Sequence, residues 1–520
     1  MEKKVIYIHI QHIIYSYTSI DDVLKEQRKK KKKAMGQLNT IPLEITINFS
    51  TYFSENDLFS ISLLNKSSNK CYFNNNIWKK KLNYRYNWQN HLRREYIGYD
   101  VSYQKCYKDD YCFSNPKKLI HMPHSLFQGA MCSSISIQHQ NEKNPSIFAG
   151  GHNGEVYKLS KRSDKDTNMC DMDITKIKFI EGKNTYNTDC WIRALENIDN
   201  KVLAIGKGSE LIIYPITSIM NTTDDANNNS KKQQHEGEAD EQPSSISRMN
   251  YNTKEKCYLA HHGAIHDIKK YGTNCCATTS FDCTTKLWDV KQEKCIATLL
   301  GHEKQIYGIT TCYQKHLIIT SSYDHCVHVY DIRTSGRIPI YIYDHGKPAW
   351  FTKPTTLDDI NNLNSFLSSC SDGKIREYDI RSNKADPVAI YTNMYNDCPC
   401  NSFDISYNNS NLICGYDDGR FSIFNMKNQE LLFTKQTNSR YIRKVSTLSM
   451  LPTNTKFIYG TNDGTIGIIN DRCNDDKFTA IELTQICSGI KTITAFSYNQ
   501  QNVIIYGGTD GEVGFIEPML

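Results

Sequence analysis

Residues 275–290 read CCATTSFDCTTKLWDV, and residues 317–332 read LIITSSYDHCVHVYDI. Each stretch is an apolar run, a step of small or hydroxyl residues, a turn built on Asp, and a strand of alternating pattern. A period of two on both sides of an Asp turn is the signature of an antiparallel hairpin. The same grammar recurs in IFAGGHNGEVYKL (147–159), VLAIGKGSELIIYPI (202–216), FLSSCSDGKIREYDI (366–380), LICGYDDGRFSIFNM (412–426), FIYGTNDGTIGIIN (457–470) and VIIYGGTDGEVGFIE (503–517). Turn aspartates at 282, 324, 372, 418, 463 and 510 lie 42, 48, 46, 45 and 47 residues apart. That interval is the length of a four-stranded propeller blade. The expected fold is mainly β, a propeller over 126–520 with eight blades, or seven if 147–159 is an irregular element.

Two expectations follow for closure. The last repeat ends on its third strand, so a segment before the first repeat, within 117–128, should supply the missing outer strand. Closing the ring removes free sheet edges. The turns of the second and third repeats, at Gly208 and Asp282, are 74 residues apart, and the excess holds TTDDANNNSKKQQHEGEADEQPSSIS (222–247). Without apolar period, 222–250 reads as a disordered surface insertion.

The repeats resemble WD-repeat propellers, most closely over 257–333, with Gly301-His302, Trp288-Asp289 and Tyr330-Asp331, followed by Tyr378-Asp379. The resemblance implies a structural hydrogen-bonded set of a His between blades, a second-strand Ser or Thr, the turn Asp and a third-strand Trp. Those places hold His261, Thr278 or Ser280, Asp282 and Trp288. In the next repeat they hold His302, Thr320 or Ser322 and Asp324, with Tyr330 for Trp. Such sets imitate Ser-His-Asp triads. Their recurrence in successive repeats argues for structure, since one active site needs one set. The resemblance also implies a binding rim, from the two residues flanking the first apolar residue of each inner strand and the residue preceding each turn Asp. These are Trp191, Arg193, His266, Phe281, Gln305, Tyr307, Tyr323, Trp350, Tyr441 and Arg443. Aromatics and arginines dominate interface energetics. The expectation is a cage for a peptide, with Arg193 and Arg443 pairing with phosphate or carboxylate.

Ahead of the repeats, TIPLEITINFSTYFSENDLFSISLLNKSSNKCYFNNNIWKKKL (40–82) reads as three short helices. Pro42 suits a first helical turn, and Ile45, Phe49, Tyr52 and Phe53 recur at helical spacing. Ser54 to Asp57 caps a helix bearing Leu58, Ile61, Leu63 and Leu64, and Ile77-Trp78 opens a third apolar cluster. So few residues cannot bury enough surface alone, so a partner or the rest of the chain must cover the apolar face. The segment resembles an F-box: Ile41-Pro42-Leu43-Glu44-Ile45, Asp57-Leu58, Leu63-Leu64 and Ile77-Trp78 stand in the family's order and spacing. Ser68 stands near a place where the family usually has Trp. The resemblance implies docking on the Skp-type adaptor of a cullin–RING ubiquitin ligase through Ile41, Pro42, Leu43, Ile45, Phe49, Phe53, Leu58, Leu63, Leu64 and Trp78. The organisation expected is a disordered basic tail (1–38), an F-box-like helical module (39–85), a linker with the closing strand (86–125) and the propeller.

Composition narrows the function. The chain of 520 residues carries 62 Lys and Arg against 56 Asp and Glu, and residues 1–40 alone hold nine basic and four acidic residues. The body is near neutral, which argues against a nucleic-acid-binding fold. The run Arg28 to Lys33 fits a solvated tail, a nuclear-localisation signal or an RNA-binding patch. VIYIHIQHIIYSYTSI (5–20) outlines a signal peptide, but His9, Gln11 and His12 interrupt it and no small-x-small cleavage site follows. The 19 cysteines are odd in number and form no CxxC pair, so they read as reduced thiols of a cytoplasmic or nuclear protein, with no metal. No phosphate-cradling loop, HExxH helix or GxSxG elbow occurs. The chain reads as a non-enzymatic binding protein without cofactor. The joint order resembles the F-box/WD-repeat family, substrate receptors that hold a protein or phosphopeptide on the propeller. The rival is a WD-repeat scaffold of a nuclear or ribosome-assembly complex.

Overall fold

A computed structural model of the chain describes residues 113, 119–138, 146–161, 172–177, 190–216, 256–334, 337–355, 363–382, 385–393, 398–406, 410–439, 441–451, 454–472, 477–483, 489–498 and 501–518. The adaptor-docking positions from Ile41 to Trp78, the basic tail and the 222–250 insertion lie outside the described residues. The described residues form eight four-stranded sheets, each joined in simple antiparallel order. All eight repeat segments form the second and third strands of one sheet each. The seven-bladed alternative is therefore set aside: Ser146–Gly151 and Val156–Lys161 are the middle strands of a full blade one.

Blade eight is completed from the other end of the repeat array. Leu119–Ser125 pairs with Glu512–Pro518 in unbroken register, from Leu119 opposite Pro518 to Ser125 opposite Glu512. Phe113, just upstream, is fully buried among Ile458, Ile466, Ile490 and Ile504, at the seam of blades seven and eight.

The small-residue step in each repeat has a physical cause. Gly150, Gly206, Gly415, Gly460 and Gly507 sit at one register position of the second strand. A Cβ on Gly150, Gly415 or Gly460 would meet Cγ2 of Ile192, Ile442 or Ile490 at 2.5, 2.6 and 2.4 Å. Those isoleucines open the inner strand of the following blade. Gly507 stands likewise against Cys132 of blade one, so the seam that joins neighbours also closes the ring. In blades three to five the position holds Thr279, Ser321 and Ser369, all fully buried.

Each hairpin turns on one residue of positive φ. Six are Gly154, Gly208, Gly373, Gly419, Gly464 and Gly511; the others are Cys283 and His325, with φ of 66° and 78°. Side chains rarely adopt that conformation, so blades three and four hold local strain that something else must offset.

Candidate functional site

The offset begins at Asp282. One carboxylate oxygen accepts the His262 N–H at 2.9 Å and the His261 Nδ1 proton at 2.9 Å. The other accepts Thr284 N–H and hydroxyl at 2.9 and 2.7 Å. On the far side, Trp288 Nε1 lies 3.0 Å from Thr278 Oγ1, and Thr278 Oγ1 lies 2.8 Å from His261 Nε2. An indole N–H only donates, so the threonine oxygen accepts it, and the hydroxyl faces two acceptors, Nε2 and the Lys286 carbonyl at 3.4 Å. Next to a carboxylate, Nδ1 is the donor, and burial favours the neutral ring, whose Nε2 then accepts from Thr278. Burial lowers the His261 pKa against the pull of Asp282. Burial raises that of Asp282, but the bonds from His261, Thr284 and His262 outweigh it and hold the carboxyl well below its usual range.

Blade four repeats the design. His302 Nδ1 is 2.7 Å from Asp324, and its Nε2 is 2.8 Å from Thr320. In both blades the Thr, not the Ser, takes the histidine; Ser280 and Ser322 instead bond the backbone of Gly263 and Gln305. Tyr330 donates to the Leu300 carbonyl at 3.2 Å. Blade five carries a variant. His345 Nε2 is 3.0 Å from Ser368 Oγ, but Asp372 bonds Arg376 at 2.6 Å rather than the histidine. Every member is committed to fold contacts, and no second nucleophile–base geometry sets one blade apart.

Among the described residues, one cluster brings potential metal ligands together: atoms of His302, Asp324 and His328 lie within 4.8 Å of one another. The two imidazoles are stacked at 3.7 Å and 7° from parallel. Parallel rings send their lone pairs side by side rather than to one point, and both His302 nitrogens are already bonded. The cluster is part of the fold.

The rim residues belong to blades two to five and seven. Arg193, His266, Tyr307 and Trp350 each follow the first apolar residue of an inner strand, while Phe281 and Tyr323 precede the turn aspartates. Side chains of five blades join in one layer. His152 stacks on Trp191 at 4.2 Å and 4°. The Arg193 guanidinium lies 4.6 Å from the Trp191 ring centre and 5.5 Å from that of Phe281, cation–π contacts on two sides. Phe281 stacks on His266 at 5.5 Å, His266 meets Tyr307 edge-on at 4.9 Å, and Tyr307 meets Trp350 edge-on at 5.0 Å. Tyr323 closes the run 6.0 Å from Trp350, with the Lys304 ammonium 5.5 Å from its ring centre.

The rings touch one another, so the rim positions that the WD-repeat resemblance implies form a continuous aromatic layer. Trp191 and Tyr323 present 42% and 41% of their surface to solvent, enough to meet a partner. His266 turns inward: its Nδ1 donates to the Tyr307 carbonyl at 2.7 Å, and burial depresses its pKa. Gln305 is exposed, and its carbonyl accepts the Tyr323 N–H at 2.9 Å. The Trp350 Nε1 is buried without a partner among the described residues. Tyr441 is exposed on blade seven, two blades beyond Trp350. Arg443 follows Ile442 in its strand, and its side chain lies outside the described part.

Two members escaped sequence reasoning. His152 precedes Asn153, the turn residue of blade one, and the rim rule was applied only before Asp. His345 lies in the connection between Tyr341–Asp344 and Ala349–Pro354, preceded by Asp344 rather than by Gly as His302 is, so the sequence does not mark it.

Comparison with known proteins agrees with this geometry. The family description "WD domain, G-beta repeat" matches residues 293–331. That span runs from the outer strand of blade three through the third strand of blade four, and includes His302, Thr320 and Asp324. Cell division control protein 4 of Saccharomyces cerevisiae is 22% identical over 191 residues, 33% of this chain and 23% of its own length. Pre-mRNA-processing factor 17 of Homo sapiens is 28% identical over 140 residues, 25% of this chain and 24% of its own. The ribosome biogenesis protein WDR12 homolog of Drosophila willistoni is 32% identical over 126 residues, 24% of this chain and 29% of its own. The chain thus spans about a quarter of the length of these relatives. Its described residues hold a WD repeat at 293–331 within an eight-bladed propeller. Among the described residues no helix is long and apolar enough to cross a membrane.

Proposed function

We propose that this chain is the substrate-recognition subunit of an SCF-type cullin–RING E3 ubiquitin ligase, in the nucleus or cytoplasm. The observation that carries the reading is the order of two parts. The Pro42 to Trp78 pattern with F-box spacing precedes a propeller whose blades one to five present a single aromatic layer. Ile41, Pro42, Leu43, Ile45, Phe49, Phe53, Leu58, Leu63, Leu64 and Trp78 hold the Skp-type adaptor. Trp191, Arg193, Phe281, Tyr307, Tyr323 and Trp350 hold the protein substrate. The chain supplies no catalytic group; it raises the local concentration of substrate lysines near a ubiquitin-loaded enzyme. The test is co-purification of the full chain with the adaptor: wild type retains it, and a Leu58→Asp, Trp78→Ala variant loses it. No complex with the intact chain would end the ligase reading.

A second reading has its own support. The names of several relatives attach them to pre-mRNA processing, a small nucleolar RNA and ribosome biogenesis. In that reading the propeller is a scaffold of a nuclear assembly and residues 40–85 pack on it. Protection of 40–85 from exchange in the isolated full chain would favour the scaffold, and exchange quenched only by adaptor would favour the receptor.

A further inference from the structure

The inner strands of the eight blades surround a central channel, and their alternating positions place charge inside it. Blade three contributes Asp267 and Lys269, blade five Lys353, blade six Asp404, blade seven Lys444 and blade two Glu196. Most of these charges are paired. Lys353 Nζ is 2.8 Å from Asp404, and Lys269 Nζ is 3.3 Å from Asp267.

Lys444 stands apart. Among the described residues no carboxylate lies within ion-pair distance of it, and its two acidic neighbours, Asp404 and Asp267, are bound to the other lysines. Its ammonium lies 5.3 Å from the ring centre of Phe351, which belongs to blade five, so the side chain reaches past blade six into the lumen. Burial, then the like charges of Lys353 and Lys269, lower its pKa to about 8, with Asp404 and Asp267 acting weakly the other way. The Lys269 contribution comes from blade three, opposite blade seven across the ring. Glu196 of blade two accepts the Lys270 N–H at 3.2 Å and feels the charges of Lys269 and Lys270, three blades from Lys444.

A partly buried ammonium with repelling neighbours and no counter-charge is poised to take an anion, because a ligand charge there removes both the desolvation and the repulsion. We propose that the channel holds a phosphate-class oxyanion site centred on the Lys444 ammonium, with Lys353 beside it. The ligand is a free phosphate or the phosphoryl group of a small ester narrow enough to enter the lumen. The site does not depend on the ligase reading, since it lies in the channel and not on the aromatic layer or the 40–85 segment.

The test is a titration of the full chain with inorganic phosphate and, separately, glycerol 2-phosphate, against sodium chloride at matched ionic strength. Readouts are the thermal midpoint and the ³¹P linewidth. The expected result is a saturable response to phosphate and none to chloride. Lys444→Met weakens affinity at least tenfold, and Lys444→Arg retains it. A response to glycerol 2-phosphate as well identifies a phosphate-ester ligand, and a response to phosphate alone a free-anion site. No response, a chloride response of equal size, or an unchanged response in Lys444→Met overturns the proposal. Should Lys444→Met fail to fold, ¹³C-dimethyl-lysine NMR of the wild-type chain reads the same point. Saturating phosphate must raise the Lys444 titration midpoint, and a midpoint that does not move refutes the site.

Discussion

Blades three to five and blades six to eight solve the same packing problem with different chemistry. In blades six to eight, Gly415, Gly460 and Gly507 let the next inner strand approach until its first side chain touches backbone. In blades three to five the same position holds Thr279, Ser321 and Ser369, whose hydroxyls bond inner-strand backbone: Ser321 Oγ donates to the Trp350 carbonyl at 3.0 Å. Those blades also carry the histidines and, in Cys283 and His325, the strained turns. Blades six to eight, like blades one and two, are joined by close fit at a glycine, and blades three to five by polar networks. The aromatic layer stands mainly on blades three to five, where directional bonds fix each inner strand and so the rings it carries.

The contrast can be broken first at the glycines. Gly460→Val should cost about 3 kcal/mol or more, since its side chain would overlap Ile490 and overpacking a dense core commonly costs 1–3. Val at position 279 in place of Thr loses only a weak hydroxyl contact and should cost about 1 kcal/mol. Thermal or chemical unfolding checks both, and equal costs would erase the distinction.

The networks offer the next test. Asp282→Ala strands the donors of His261, His262 and Thr284 in a buried place and should cost about 2–4 kcal/mol. Asp418→Ala in blade six removes an acceptor that bonds the Arg420 N–H at 2.9 Å near solvent, and should cost about 1 kcal/mol or less.

A pH series sharpens the comparison further. Burial, aided by the Arg376 charge, holds His345 at about 4 against an ordinary 6.5. The unfolded chain therefore takes up a proton that the folded chain refuses, and stability falls as pH drops from about 6.5 to about 4. Glu377 in the same blade has a raised pKa and works in the opposite sense. The diagnostic is thus a difference: His345→Gln should flatten the decline of the unfolding free energy between pH 6.5 and 4. An unchanged slope would mean that the histidine is solvated. The smallest effect belongs to the turns. Cys283→Gly should stabilise by about 0.5–1 kcal/mol through relief of positive φ, with no such gain at the glycine turns.

The hairpins were legible in the chain because their causes are local: a period of two and, in every blade but the second, an Asp or Asn beside the left-handed turn residue. The closing strand was legible because the last repeat lacked a partner. The meaning of the small-residue step was not, since Gly460 answers to Ile490, thirty residues on and in another sheet. The rim positions came with the WD-repeat resemblance, while the way their rings meet depends on blade-to-blade spacing that no single repeat encodes. His345 shows the same limit: its partner Ser368 is in reach by pattern, while the diversion of Asp372 to Arg376 is a matter of three-dimensional competition.

The account rests on two separable holds in one chain, and a single co-purification measures both. The full chain is captured with the Skp-type adaptor, and cross-linked cargo is quantified beside it. The account predicts that Trp191→Ala with Tyr323→Ala loses cargo and keeps adaptor, while Leu58→Asp with Trp78→Ala loses adaptor and keeps cargo, both with unchanged melting of the propeller. Variants of the aromatic layer that keep all cargo, or front-segment variants that keep the adaptor, would contradict it.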